Sequence, residues 1–397
     1  MTNAGCKRLY AAVVLCLGIT SVDAAEFLLR PSIAAEGSYN DNVFLKSDSK
    51  LSSWRAVVYP GLNLTYKRGA LSTSANAYAA INRYIDNSTL NTDDQFYRLN
   101  TRYDAGRQNF GLNFSFARIA TLRTEEADTG QLEFARQRER IIVQPTWQYL
   151  LTEASRLTLG YAYSQQSYTD PTVAAATQTQ LVGTTTHAGN AIFDYSFTNR
   201  LRLGSEFGYS HSEGDTGYVS DGFSLRLPLS YDYSETFRTS AHVGTRYILA
   251  SNKGSPTTGD AGFLFGFDFL KKFDIGNIDI SLGRNVIPSG YGTQRQRDQV
   301  SVRLGANLTE TLTANIQGRY YNNKQLGGEA NQSANNVKNR EFFSVGSNLR
   351  WELAESWVLT TGYTFRGQKL DTQPGTGYGN LVYLSVGYSF EDVFLPD

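Results

Sequence analysis

Few side chains in this sequence could do covalent or metal chemistry. The three histidines, His187, His211 and His242, fall in separate segments, and none stands at metal-ligand spacing. Ser210-His211-Ser212 sets two hydroxyls beside an imidazole, the raw material of nucleophilic catalysis. On a strand, however, sequence neighbours point to opposite faces, so neither serine shares a face with the histidine. A triad would need a nucleophile and an acid converging from elsewhere in the fold. Both cysteines, Cys6 and Cys16, lie in an N-terminal leader, so the remaining chain holds no thiol, disulfide or thiolate metal site. No catalytic residue, metal ligand or cofactor is read from the sequence, and the chain is not expected to be an enzyme.

What the chain does carry is charge at alternate positions. Arg98, Arg102, Arg202, Arg226, Arg238, Arg246, Arg303, Arg319, Arg350 and Arg366 fall on one face of their segments. The acids on that face are Glu36, Asp104, Asp194, Glu206, Asp232, Asp268, Asp279 and Glu352. Unpaired charge is costly to bury, so this face must meet water or partners. Two readings of the arginines stay open. They pair with nearby acids and stiffen a wall, or their surplus sets up a field that favours anions. Tyr59, Tyr78, Tyr321 and Tyr383 share the face and either stack on sugar rings or fill space.

The opposite face is apolar. Phe263, Phe265, Phe267 and Phe269 alternate with Leu264, Gly266 and Asp268. Val300, Val302, Leu304, Ala306 and Leu308 alternate with Ser301, Arg303, Gly305 and Asn307, and Leu225 to Tyr233 repeat the pattern. A period of two is that of a strand with one greasy and one polar face. The segments are joined by short, similar turns: Thr152–Ser155, Thr198–Arg200, Ser234–Thr236, Lys271-Lys272, Thr309–Thr311 and Ala354–Ser356. Longer polar stretches alternate with them, over 123–130, 169–186, 251–260 and 322–339. Short turns at one end and long loops at the other are the pattern of an outer-membrane β-barrel.

The segment centres are near Ile33, Leu62, Ala77, Leu99, Phe114, Val143, Leu159, Phe193, Phe207, Leu227, Val243, Phe265, Ile280, Leu304, Ile316, Leu349, Tyr363 and Val386. They predict an all-β, transmembrane antiparallel β-barrel of about 18 strands, with 16 as the alternative count. Barrels of that size leave room for an aqueous channel. Tyr66, Phe110, Trp147, Phe197, Tyr233, Phe237, Phe269, Trp351, Trp357 and Phe390 cluster beside the short turns, where an interfacial aromatic girdle belongs. A soluble β-sandwich also alternates, but it would not need so many long strands with Arg and Asp on the polar face.

The N-terminus reads as a secretory signal at 1–24: basic Lys7 and Arg8, an apolar run from Leu9 to Ser21, and Val22-Asp23-Ala24 for cleavage. The barrel would then occupy 25–397. The whole chain has 37 basic and 37 acidic side chains, which gives no reason to expect nucleic acid. Mean hydropathy is −0.36, which does not exclude a barrel, because alternate strand residues can face water inside a pore. The 25 Tyr and 22 Phe suit strands and membrane interfaces.

The last segment, Leu381 to Phe390, alternates and ends in an aromatic, and resembles the signal read by the outer-membrane barrel-assembly machinery. The first, Pro31 to Leu45, resembles the opening strand of a family of β-barrel porins associated with exopolysaccharide gene clusters (beta-barrel porin 2 type), through Pro31, Tyr39 and Asn42-Val43-Phe44. The resemblance implies passage of a secreted exopolysaccharide across the outer membrane, with polysaccharide export components as partners beside outer-membrane lipid and lipopolysaccharide. A general small-solute porin and a structural or surface-binding barrel are the alternatives.

Overall fold

The computed structural model describes residues 25–126, 136–169, 181–252, 256–290, 292–326, 339–371 and 374–394. The leader at 1–24 lies outside them. The first six strands are β1 (Glu26–Asn40), β2 (Ser53–Arg68), β3 (Leu71–Tyr84), β4 (Thr92–Ala105), β5 (Gln108–Ala120) and β6 (Gln137–Leu150). Then come β7 (Ser155–Tyr168), β8 (Thr184–Ser196), β9 (Leu201–Gly214), β10 (Val219–Ser234), β11 (Phe237–Ser251) and β12 (Thr258–Phe273). The last long strands are β13 (Gly276–Pro288), β14 (Gln294–Asn307), β15 (Leu312–Gln325), β16 (Asn339–Ala354), β17 (Trp357–Leu370) and β18 (Gly377–Ser389). A short α1 (Thr121–Thr124) follows β5, and a two-residue β19 (Val393–Phe394) follows β18.

Each long strand is antiparallel to its neighbours in sequence, and β1 pairs back onto β18 from Ser32↔Ser389 to Asn40↔Leu381. The sheet therefore closes into an 18-strand antiparallel barrel. Closure pairs the edges of β1 and β18, which an open sheet would leave free. Every segment centre read from the sequence falls in its own strand. β19 adds a short pairing to β1 through Leu28↔Phe394 and Leu29↔Val393.

The short turns resemble one another for a chemical reason. Thr198 Oγ1 accepts from the amides of Arg200 (3.1 Å) and Leu201 (2.9 Å). Thr309 does the same for Thr311 (3.3 Å) and Leu312 (3.0 Å), and Thr152 for Ala154 (3.2 Å) and Ser155 (3.0 Å). A hydroxyl that caps two amides of its own turn holds the reversal. The β4–β5 turn instead uses Gly106 at φ 72°, where a side chain would be strained.

The register sorts the two faces along the central rows, the Arg284–Asp298 ion pair beside Phe265 being an exception on the outer face. Phe207↔Leu225, Leu225↔Thr245, Val243↔Phe265 and Phe267↔Leu282 all stand on the outside. These side chains are exposed: Phe263 56%, Leu227 55%, Val243 59%, Leu384 52%. A continuous apolar outer wall of this extent belongs in hydrocarbon. At the short-turn end its aromatics touch, Tyr233 stacking on Phe237 at 4.3 Å and Trp357 meeting Tyr388 at 4.9 Å. A closed barrel, greasy outside and charged inside, is the architecture of an outer-membrane β-barrel.

Candidate functional site

The inner face is a lumen, and two of the segments at its long-loop end fold into it rather than away from it. The first is the connection after β5. Asp94 on β4 accepts from the amide of Ala120 (3.1 Å) and from Arg123, turning the chain inward as α1. Two consecutive acids then anchor it to different walls. Glu125, fully buried, meets Arg138 on β6 (3.4 Å) and the Tyr168 hydroxyl on β7 (3.2 Å). Glu126 reaches β15–β17, where its carboxylate takes Arg366 and its carbonyl takes the Tyr321 hydroxyl and Arg340 (2.6 Å).

Arg340 extends this network. It donates to Gln368 Oε1 at 2.9 Å, and Gln368 Nε2 donates to the carbonyls of Phe44 (3.4 Å) and Leu45 (3.3 Å) in the β1–β2 loop. That loop is itself held by Asn42. Its amide nitrogen donates to the carbonyls of Lys46 (2.7 Å) and Tyr378 (2.8 Å), and its oxygen accepts from the Lys46 amide (3.1 Å). Beneath lies an apolar cluster of Val43, Leu45, Tyr84, Leu90, Leu122 and Phe342 with Tyr321. The lumen-facing surface is therefore not polar throughout, as the alternation alone suggests. Loop side chains bring their own small core into the barrel mouth, because apolar surface removed from water is stabilising wherever it meets apolar surface.

The second inward element is the tip of the β13–β14 hairpin. β12 pairs with β13 only as far as Phe265↔Arg284, yet β13 and β14 stay paired to Pro288↔Gln294. The tip leaves the wall and crosses to the inner face of β9–β11. Gln294 Nε2 donates to Ser212 Oγ (3.1 Å) and Ser220 Oγ (3.3 Å), and Arg246 donates to Gln296 (3.4 Å). The Val182 amide donates to the Gly290 carbonyl at 2.8 Å.

Register places all fourteen charged candidates on the inner face, but their surroundings differ. Arg226 pairs with Glu206 (2.9 Å), Arg238 with Asp232, Arg350 with Glu352 (3.4 Å) and Arg102 with Asp104 (4.0 Å). Arg246 pairs with Asp260 (2.8 Å) and Arg366 with Glu126. These last two are covered by the folded-in segments, 6% and 8% exposed, so they do not line an open channel as the sequence suggests. Arg98, Arg202, Arg303 and Arg319 have no ion-pair partner among the described residues. Arg303 stands opposite Asp279 in the register without closing a pair, and among the described residues Asp268 accepts only from Ser240 (3.4 Å).

The tyrosines divide as well. Tyr321 is buried against Phe342 at 4.8 Å and fills space, so it cannot stack on a passing sugar. Tyr59 donates to Glu36 (3.4 Å), which also holds Arg55 (2.5 Å), and Tyr78 stacks on Phe96 at 4.2 Å. His187 and His211 are register partners and point outward, away from the serines beside His211. His211 meets Asp221 (2.8 Å) and Glu213 (3.0 Å), and His187 meets the Tyr161 hydroxyl (2.7 Å). Among the described residues no group of three or more His, Cys, Asp or Glu is arranged to hold a metal ion.

Sequence reading missed Glu125, Glu126, Gln294, Arg340 and Gln368. One signal was available: 294–299 reads Gln-Arg-Gln-Arg-Asp-Gln, with no apolar residue on either face. A strand end polar on both faces cannot rest against lipid.

Fold and lumen together define a transmembrane β-barrel with a charged, partly obstructed interior. No protein-family model matches the chain, and no curated protein matches it either. Among solved structures it is similar to the outer membrane protein OprD of Pseudomonas aeruginosa, at 11% identity over 94% of each chain with a TM-score of 0.44. It is similar to OccK2 (OpdF) of the same organism in complex with glucuronate, at 11% identity, 92% of this chain, 96% of that one and a TM-score of 0.47. It is also similar to OccAB4 of Acinetobacter baumannii, at 11% identity, 93% of this chain, 99% of that one and a TM-score of 0.49.

Proposed function

We propose that the barrel is a small-solute porin of the outer membrane whose lumen favours anions. The observation that carries this is the segment after β5, pinned to two walls by Glu125 and Glu126, in a lumen where the candidate arginines without an ion pair among the described residues (Arg98, Arg202, Arg303 and Arg319) outnumber the candidate acids without one (Asp268 and Asp279). A loop fixed across a water-filled barrel narrows it to small solutes, and uncompensated guanidinium groups in a low-dielectric wall raise the local anion concentration.

Passage of a secreted exopolysaccharide is the weaker reading. Two folded-in segments stand where a polymer would thread. Asn42, part of the motif behind that resemblance, is occupied in holding the β1–β2 loop. Outer-membrane lipid, lipopolysaccharide and the barrel-assembly machinery are the partners the porin reading requires, and it requires no export component.

The test is reconstitution. Purified protein in planar bilayers should conduct steadily, and liposomes containing it should swell in small sugars. A barrel with no ion conductance would point to the structural or surface-binding reading. Loss of polymer secretion on deleting the gene, with no defect in solute uptake, would restore the export reading.

A further inference from the structure

Between the β13–β14 tip and the inner wall of β8–β11 lies a cavity of about 370 Å³. Its lining mixes polar and apolar groups. The wall side presents Asn190, Ser210 and Ser224, and none of these side chains has a hydrogen-bond partner among the described residues. The serines lie over glycines. A Cβ on Gly208 would come within 2.6 Å of Ser224 Oγ, and one on Gly222 within 2.7 Å of Ser210 Oγ. The lining also holds apolar side chains, among them Leu264 on β12 and Val286 on β13.

Charge in the cavity is balanced. Arg226 is held by Glu206 at 2.9 Å and Arg246 by Asp260 at 2.8 Å. Arg246 is only 6% exposed. The cavity thus offers free hydroxyls and an amide beside apolar side chains, with its charges paired.

We infer that this cavity is a binding site for a neutral polyhydroxylated solute of mono- to disaccharide size. Such a molecule has hydroxyls around its edge and C–H groups on its face, and the cavity supplies both free polar groups and apolar side chains. Its volume lies in the range of small-molecule sites. The inference rests on the reading that solutes enter the lumen. The roof over the site is the hairpin tip, latched by Gln294 to Ser212 and Ser220.

The experiment pairs two readouts on the full barrel. Equilibrium dialysis of the detergent-purified protein against labelled glucose and maltose measures binding, and planar-bilayer recording measures conductance. Saturable binding of at least one sugar is expected. Ser210→Ala with Ser224→Ala should weaken it about tenfold, the loss of two hydrogen bonds, and Ser224→Leu should abolish it by occupying the cavity. Ser385→Ala, on the inner face of β18, should leave binding unchanged. Far-UV circular dichroism establishes that each variant is folded. Absence of saturable binding, or binding indifferent to both Ser224 variants, overturns the site even if the barrel conducts. Binding without conductance keeps the site and overturns the porin reading instead.

Discussion

The carboxylate of Glu126 accepts a hydrogen bond from Nη1 of Arg366, 240 residues further along the chain on a strand remote from either neighbour of the loop. This contact turns a surface connection into an internal crossbar. Arg366 is nearly buried, so its charge is compensated by the loop or by nothing. Arg366→Ala should loosen the segment, which Tyr321 and Arg340 still hold through the Glu126 carbonyl, and removing one member of a buried pair typically costs about 3–5 kcal/mol. Single-channel conductance in planar bilayers should rise, and Glu126→Gln should do the same to a smaller degree. Unchanged conductance in both variants would show that the Glu126–Arg366 contact does not limit flow.

Ion selectivity should follow the arginines that lack partners. Arg98→Ser and Arg319→Ser each remove an uncompensated cation from the inner wall, and reversal potentials in a salt gradient should move toward zero. Arg238→Ser removes a cation that already neutralises Asp232, and should shift selectivity toward cations by exposing that acid. If the three variants move the potential equally, local pairing does not decide the field.

The facing of β14 can be tested with one residue type at two positions. Leu304 is 38% exposed on the outer wall, in register with Ile316. Leu304→Arg should cost about 2–4 kcal/mol in denaturant unfolding from lipid vesicles, the depth-dependent price of a cation facing hydrocarbon. Ser301→Arg, on the inner face opposite Ser281, should be tolerated and should strengthen anion preference.

The side chain of Asn42 makes three hydrogen bonds while fully buried. Asn42→Ala orphans two carbonyls and an amide, at about 1–3 kcal/mol for each group left unsatisfied. The wall does not depend on this residue, so the effect should be confined to the β1–β2 loop. Trypsin cleavage after Lys46 and Lys50 should accelerate sharply, with the barrel still folded by circular dichroism.

Strand number, strand placement and the division of faces were legible in the sequence. The pleat is local: side chains two apart share a face whatever the rest of the chain does, so Phe263 to Phe269 or Val300 to Leu308 declare an outer wall unaided. The aromatic positions beside the turns and the inner placement of Arg98 or Arg303 follow from the same period. What the alternation could not contain is any fact about chains meeting inside the closed cylinder. That Glu125 and Glu126 anchor to different walls, that Gln294 folds back to Ser212 and Ser220, and that Arg366 is covered while Arg319 is not, are consequences of closure. Closure brings residues hundreds of positions apart into hydrogen-bonding distance, and no periodicity along a chain encodes which of them meet.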